Sequence, residues 1–301
     1  MRVKEWGAFI LLGLVWGSSF LWIKVAVHEI GPLTLVAFRL LFGIAGLLVV
    51  VGLRRPPFPR QRSTWLALAI LGITNTALPF ALISWGEQYI DSAVASILNG
   101  TVPLFTTVIA HLLLNDDRIT PARALGLLAG FLGVVVLMSR DLGPGDLRGN
   151  VLGQLAVLAA SLAYAGSSVF ARRSLRQVDS VVQAFVPLLA ADSLIWLSAG
   201  LAEAPLRFPR LPITWLALAW LGLLGSCLAY LLYFYLLHAL GPTRATMVTY
   251  VFPVVGVVLG VVFLAERADW HLAVGAALVA LAMGVVNRRP KPSTIPAGPA
   301  S

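Results

Sequence analysis

The chain is a succession of long apolar runs separated by short polar joints. Runs dominated by Leu, Ala, Val and Gly recur near residues 7–27, 33–53, 64–85, 92–114, 121–139, 149–171, 180–201, 213–237, 243–264 and 270–287. Each is close to the length an α-helix needs to cross a bilayer core, about 20 residues. None alternates apolar and polar positions as a transmembrane β-strand would. The pattern therefore predicts an all-α polytopic membrane protein of ten spans. The first run is too long for a signal-peptide core, and His28-Glu29-Ile30-Gly31-Pro32 follows it without a small-residue cleavage pattern, so it reads as a retained span.

Composition agrees. Of 301 residues, 59% are hydrophobic and 12% charged, with a mean hydropathy of +0.89, which excludes a water-soluble fold. The single cysteine, Cys227, lies inside an apolar run and has no intramolecular partner. A net charge of +9 would point to nucleic acid in a soluble protein. Here the basic residues flank the spans and orient them, so no nucleic-acid partner is expected.

Alternate joints differ in charge. One side carries Arg2 and Lys4, the Arg54–Arg62 cluster, Arg118 and Arg123, Arg172, Arg173 and Arg176, Arg244, and the Arg288–Lys291 cluster. The other carries only Arg140, Arg148, Arg207, Arg210 and Arg267. The richer side is expected to be cytoplasmic, with both termini there. Trp6 and Trp65 then mark the inner interface, and Trp215 and Trp270 the outer one.

An internal repeat organises the whole chain. Thr64–Gly72 reads TWLALAILG and Thr214–Gly222 reads TWLALAWLG. Gly17-Ser18-Ser19 recurs as Gly166-Ser167-Ser168, Pro103 as Pro253, and Asp117-Arg118 as Glu266-Arg267, at nearly constant spacing. A five-span unit has been duplicated, dividing the chain into 7–139, 149–287 and a flexible Pro-rich tail at 288–301. Five is odd, so the second unit runs through the bilayer the other way up. Inverted repeats are an architecture of secondary transporters, which bind substrate near the midplane between the repeats.

At this level the chain resembles the EamA-domain family of the drug/metabolite transporter superfamily, in its ten-span form with two repeats. The residues that carry the resemblance begin with Trp16-Gly17-Ser18-Ser19-Phe20 and Lys24 in span one and Arg39 in span two. Pro103 and Asp117-Arg118-Ile119-Thr120 close span four, and Gly126 and Gly133 mark span five. Gly166-Ser167-Ser168, Pro253, Glu266-Arg267 and Gly275 repeat the pattern. The resemblance implies export of small metabolites, commonly amino acids or related compounds, across a bacterial inner membrane. It also implies a central cavity bounded by spans one, three, four, six, eight and nine.

Four prolines interrupt spans: Pro79, Pro103, Pro187 and Pro253. Each lacks an N–H and frees the carbonyl four residues earlier, at Asn75, Asn99, Gln183 and Thr249. Either these are static kinks, or, for the repeat-related Pro103 and Pro253 above all, hinges that line the cavity. Ser92, Ser96, Asn99 and Pro103 share one face of span four, and Thr246, Thr249, Tyr250 and Pro253 a face of span nine. Span one adds Trp16, Ser18, Ser19 and Trp22. Span six adds Ser161, Tyr164 and Ser168, and spans three and eight add Asn75 and Tyr230. Together they predict aromatic walls with neutral hydrogen-bonding groups.

Arg39 and Asp192 fall within spans, each roughly 10–14 Å below the outer surface at ~1.5 Å per residue. They are expected either to pair, gating spans two and seven, or to be satisfied separately. Lys24, His28, Glu29, Glu87 and Asp91 read as a solvated outer rim, and His111 and His238 as interfacial. Small residues at Gly126, Gly130 and Gly133, and at Ala276, Ala280 and Gly284, serve helix packing or a homodimer through spans five and ten. The histidines at 28, 111, 238 and 271 are scattered, and no phosphate loop or nucleophile–base set is present. No catalytic residue, metal or cofactor is expected. The expected partners are the lipid bilayer, a small-molecule substrate and a proton as candidate coupling ion. Amphipathic drugs or lipid-linked molecules are the alternative cargo.

Overall fold

The computed structural model describes residues 3–113, 119–140, 147–240 and 246–286. Ten helical segments cross the bundle in alternating directions among these residues. They are α1 Val3–Val27, α2 Pro32–Arg54, α3 Arg62–Gly86, α4 Ser92–Leu113, α5 Pro121–Ser139, α6 Leu147–Ser174, α7 Ser180–Ala202, α8 212–240, α9 Val251–Leu264 and α10 Trp270–Val286. The first eight are long and apolar enough to span a bilayer by length and composition, and the last two are shorter apolar helices. The motif residues Asp117 and Arg118, together with Arg244 and the tail, lie outside the described residues, as does the side chain of His238.

Local chemistry sets the boundaries. Pro32, Pro121 and Pro212 occupy the first turns of α2, α5 and α8, where a missing N–H costs nothing. Thr120 accepts from Arg123 N, Asp179 from Val181 N, and Asp269 from Leu272 N, satisfying amides at the starts of α5, α7 and α10. Arg55, at φ 48°, turns α2 off just before Pro56 and Pro57. Leu11, Leu14, Leu48, Val49, Leu125 and Val262 point outward. In a bilayer this apolar exterior meets lipid, and helix association rests on close packing rather than on hydrophobic burial.

The helices pair as a two-fold repeat requires. α2 packs on α7, α4 on α9, and α5 on α10, each helix meeting its own counterpart. The remaining pairings come in matched couples: α1 on α8 with α6 on α3, α1 on α9 with α6 on α4, and α2 on α8 with α7 on α3. The closest approaches repeat too. A Cβ on Gly72 would lie 2.4 Å from the carbonyl oxygen of Pro187, and one on Gly222 2.7 Å from that of Arg39. Gly126, Gly130 and Gly133 meet Val285, Ala282 and Leu278, so these glycines are occupied within the chain by α10.

The spans break where the repeat places them. α3 carries a π turn over Ile73–Ala77, and α8 one over Trp220–Leu228, at equivalent positions. Pro79 follows the first, whereas Ala229 stands at its counterpart after the second. The widening therefore belongs to the repeat and not to Pro79 alone. α4 interrupts at Gly100–Thr101 and resumes at Val102, with Pro103 in the new first turn. α9 is preceded by a 3₁₀ turn, Thr246–Tyr250, with Pro253 in the first turn of the helix that follows. Pro187 instead lies inside an uninterrupted α7.

Gly72→Ala and Gly222→Ala should each lower the thermal stability of detergent-purified protein by about 1–3 kcal/mol, the range for overpacking a tight contact. Gly7→Ala and Gly200→Ala, where nothing lies within 4 Å of the added carbon, should leave it unchanged or raise it.

Candidate functional site

The two π turns carry polar and aromatic side chains into the middle of the bundle. Trp16 donates through Nε1 to the carbonyl of Gly225 at 3.0 Å, within the π turn of α8. Its ring meets Tyr230, Tyr233 and Phe252 at centroid distances of 6.2, 5.6 and 5.9 Å. Trp220 donates to Ser18 Oγ at 3.0 Å and packs on Trp22 at 5.6 Å. In the other repeat Ser167 donates to Asn75 Oδ1 at 3.0 Å, so α6 engages the π turn of α3 as α1 engages that of α8. Ser161 bonds the carbonyls of Val157 and Leu98 and lies 3.4 Å from Asn99 Oδ1, at the break of α4.

Arg39 is the charged centre of this group. It is only 4% exposed, about 10 Å along α2 at 1.5 Å per residue. Its Nε donates to Ser226 Oγ at 3.2 Å, and its guanidinium carbon lies 3.7 Å from the centroid of Phe80. Tyr164 and Tyr230 lie within electrostatic range of it. No carboxylate among the described residues forms an ion pair with it. A guanidinium stays protonated at this depth, so its charge is real and lacks a bonded counter-ion.

Several expectations are corrected. Arg39 does not pair with Asp192: Ser226 and Phe80 take its guanidinium, while Asp192 keeps one buried carboxylate oxygen with no partner among the described residues. Ser168 is exposed and bonds back to Ala165 O; Ser167, one residue earlier, faces the site. The Tyr250 hydroxyl donates to the carbonyl of Met283, which ties it to α10. Ser96 bonds Ala93 O and packs against Gly256, so it serves the α4–α9 contact. Ser19 is satisfied by Val15 O. Thr249 is half-buried beside Tyr250, and the Thr246 side chain lies outside the described residues. Glu87, expected at a solvated rim, is completely buried.

Sequence reasoning also passed over Ser226, Phe80 and Trp220. A usable signal existed, because Ser226 and Tyr230 occupy the repeat positions of Thr76 and Phe80. The π turns concealed it by rotating the faces that a uniform 3.6-residue count assigns.

The end of the bundle remote from the N-terminus, called distal here, is closed by carboxylates lodged on helix starts. Glu203 accepts from Leu33 N and Thr34 N at 2.8 and 2.9 Å and from the Thr34 hydroxyl at 2.6 Å. Glu266 accepts from Ser92 N and Ala93 N at 2.7 and 2.9 Å. Glu29 accepts from Arg210 N and Leu211 N at 2.6 and 3.0 Å. Each carboxylate comes from a different segment; those of Glu203 and Glu266 meet the positive ends of helix dipoles, and that of Glu29 binds the chain just ahead of α8. Ala265, at φ 53°, turns the chain so that Glu266 N bonds Gly260 O. Glycine at 260 leaves the room, since a Cβ there would lie 2.3 Å from Glu266 Oε2. Arg140 joins Asp91 and Asp269 beside it, at 3.1 and 2.7 Å.

Residues 5–139 and 151–288 each match the EamA-like transporter family. The chain belongs to that family. It is 29% identical over 296 residues to the uncharacterized inner membrane transporter YedA of Escherichia coli (strain K12), covering 96% of this chain and 94% of the relative. The uncharacterized transporter YoaV of Bacillus subtilis (strain 168) is 25% identical over 278 residues, covering 92% and 94%. An uncharacterized transporter of Archaeoglobus fulgidus is 26% identical over 300 residues, covering 95% and 100%. A solved crystal structure superimposes with a TM-score of 0.66 at 23% identity, covering 95% of this chain and 98% of that one, which shows the fold alone. The protein is a multi-pass membrane transporter. The paired matches also give each π turn, and each broken span, its counterpart in the other half of this EamA-like chain.

Replacing the Glu266 carboxylate should open the distal end. Glu266→Ala and Gly260→Ala should both speed amide hydrogen exchange at Ser92 and Ala93, by the equivalent of about 0.5–2 kcal/mol for a lost N-cap. Glu203→Ala should affect Leu33 and Thr34 and leave Ser92 and Ala93 protected.

Proposed function

We propose that this EamA-like transporter is a secondary exporter of small neutral or zwitterionic metabolites such as amino acids, working by alternating access. The observation that carries this reading is Arg39, a buried guanidinium held by Ser226 and Phe80, with no bonded counter-ion among the described residues and with Tyr164 and Tyr230 within electrostatic range. A carboxylate-bearing substrate supplies the missing charge, with bidentate geometry available to the guanidinium fork. Aromatic walls accommodate side chains of different size. The positive charge disfavours cationic drugs unless they also carry an anionic group.

The excess of Lys and Arg on the proximal side supports a cytoplasmic location for that side and for both termini, in a bacterial inner membrane. The distal carboxylate caps then close the periplasmic side. Export begins with substrate reaching Arg39 from the cytoplasm. It ends when the caps of Glu266 and Glu203 separate and the broken spans α4 and α9 move with them. The inverted repeat gives the two open states related geometries.

Proteoliposomes preloaded with a panel of labelled amino acids provide the test. Saturable flux of at least one member is expected, and Arg39→Gln should reduce it by at least tenfold while leaving the folded protein intact. A cargo lacking a carboxylate that moves equally well in both proteins would overturn the role of Arg39. Flux of amphipathic drugs or lipid-linked molecules alone would replace the substrate class.

A further inference from the structure

One fully enclosed acidic side chain at the distal end has no hydrogen bond among the described residues. Glu87 follows α3, and the residue is 0% exposed. Both carboxylate oxygens are shut away from solvent, and neither has a hydrogen-bond donor among the described residues. The other distal carboxylates Glu29, Glu203 and Glu266 all bind backbone amides, and Asp91 and Asp269 bind Arg140. Glu87 alone among these six is both enclosed and unbonded.

Its surroundings do not make it a conventional ion pair. Lys24, from α1, spends its ammonium on two carbonyls, those of Glu87 and Ile90, at 2.6 and 2.8 Å. The charges of Lys24, of Glu266 after α9 and of Arg39 from α2 act on the Glu87 carboxyl through their fields rather than through bonds to it. α6 packs against Gly86 through Gly153, and the next residue of α6, Gln154, is buried. An ionised carboxylate enclosed without donors costs several kcal/mol, a penalty that a bound proton removes.

A cavity adjoins the Lys24 that binds the Glu87 backbone. A cavity of about 310 Å³ opens at the distal end, lined by Lys24, His28, Asp91, Arg140, Glu266 and Arg267. Lys24 thus lines the cavity and also binds the backbone of Glu87. Glu266, the cap of α4, closes the same cavity. Freeing Glu266 from Ser92 and Ala93 would change one wall of this cavity.

We propose that Glu87 is the proton-carrying group of this transporter: it takes up a proton from the distal side, holds it while the distal end is closed, and gives it up on the proximal side. The electrostatic link to Arg39 makes proton occupancy at Glu87 and substrate occupancy at Arg39 sensitive to each other. No bond other than O–H is made or broken. This proposal rests on the exporter reading, with the proton moving inward as substrate moves out.

Two measurements on reconstituted full-length protein test it. In the infrared, the wild-type-minus-Glu87→Gln difference at neutral pH should contain the carbonyl band of a protonated carboxyl, and Glu87→Asp should retain such a band. In proteoliposomes carrying an amino acid that the wild type moves, with the membrane potential clamped at zero, a gradient of one pH unit should sustain about a tenfold substrate gradient if one proton exchanges for one substrate. Glu87→Gln should continue to exchange labelled for unlabelled substrate but lose the response to pH, and Glu87→Asp should keep it. Absence of the band overturns the proposal, and so does an undiminished pH response in Glu87→Gln. If no amino acid moves in the wild type, the exporter reading fails, and the band alone decides whether Glu87 holds a proton.

Discussion

Backbone amides at the starts of helices need partners wherever water is scarce, and at the distal end of this bundle carboxylates from other segments supply them. Glu203 binds the start of α2, Glu266 that of α4 and Glu29 the chain leading into α8. Each such contact does two things at once: it satisfies polar groups that would be costly to strand, and it ties together segments far apart in sequence. These contacts are charge-assisted and reversible in water, unlike the apolar seams between α5 and α10. The distal end can therefore be both firmly closed and able to open. The glycines at 31 and 260 belong to the same device, because side chains there would occupy the space of the Glu203 and Glu266 carboxylates.

The repeat supplies the frame, and departures from it supply the chemistry. Matched π turns, matched breaks in α4 and α9, and matched close contacts at Gly72 and Gly222 all follow the duplication. Arg39 and Glu87 do not: leucines occupy the corresponding positions of the second half. A symmetric scaffold can alternate between two related shapes, and on the proposed reading Arg39 and Glu87, which break the symmetry, mark one substrate site and one proton site within it.

The sequence made the frame legible because apolar length and repeat spacing are strong, long-range signals. The all-α polytopic fold and the family could be read from it. What it concealed depended on one residue of rotation. Ser167 and Ser168 are adjacent, and only the packed structure shows that Ser167 reaches Asn75 while Ser168 faces out. Glu87 looked like a rim residue because it stands at a span end, yet the approach of α6 through Gly86 and Gly153 encloses it. The proposed Arg39–Asp192 pair failed for a related reason: depth along a helix says nothing about direction around it.

The central claim is that closing one end of this bundle is coupled to opening the other. Double electron–electron resonance on protein in lipid nanodiscs tests it most directly, with Cys227 replaced by Ala and spin labels at exposed positions. One labelled pair, Gln88 and Ala268, spans the distal end, and another, Arg62 and Arg176, spans the proximal end. Across a pH series with transported substrate, the distal distance should lengthen in the same population in which the proximal distance shortens. A single unchanging distance at both ends, under conditions that support flux, would contradict it.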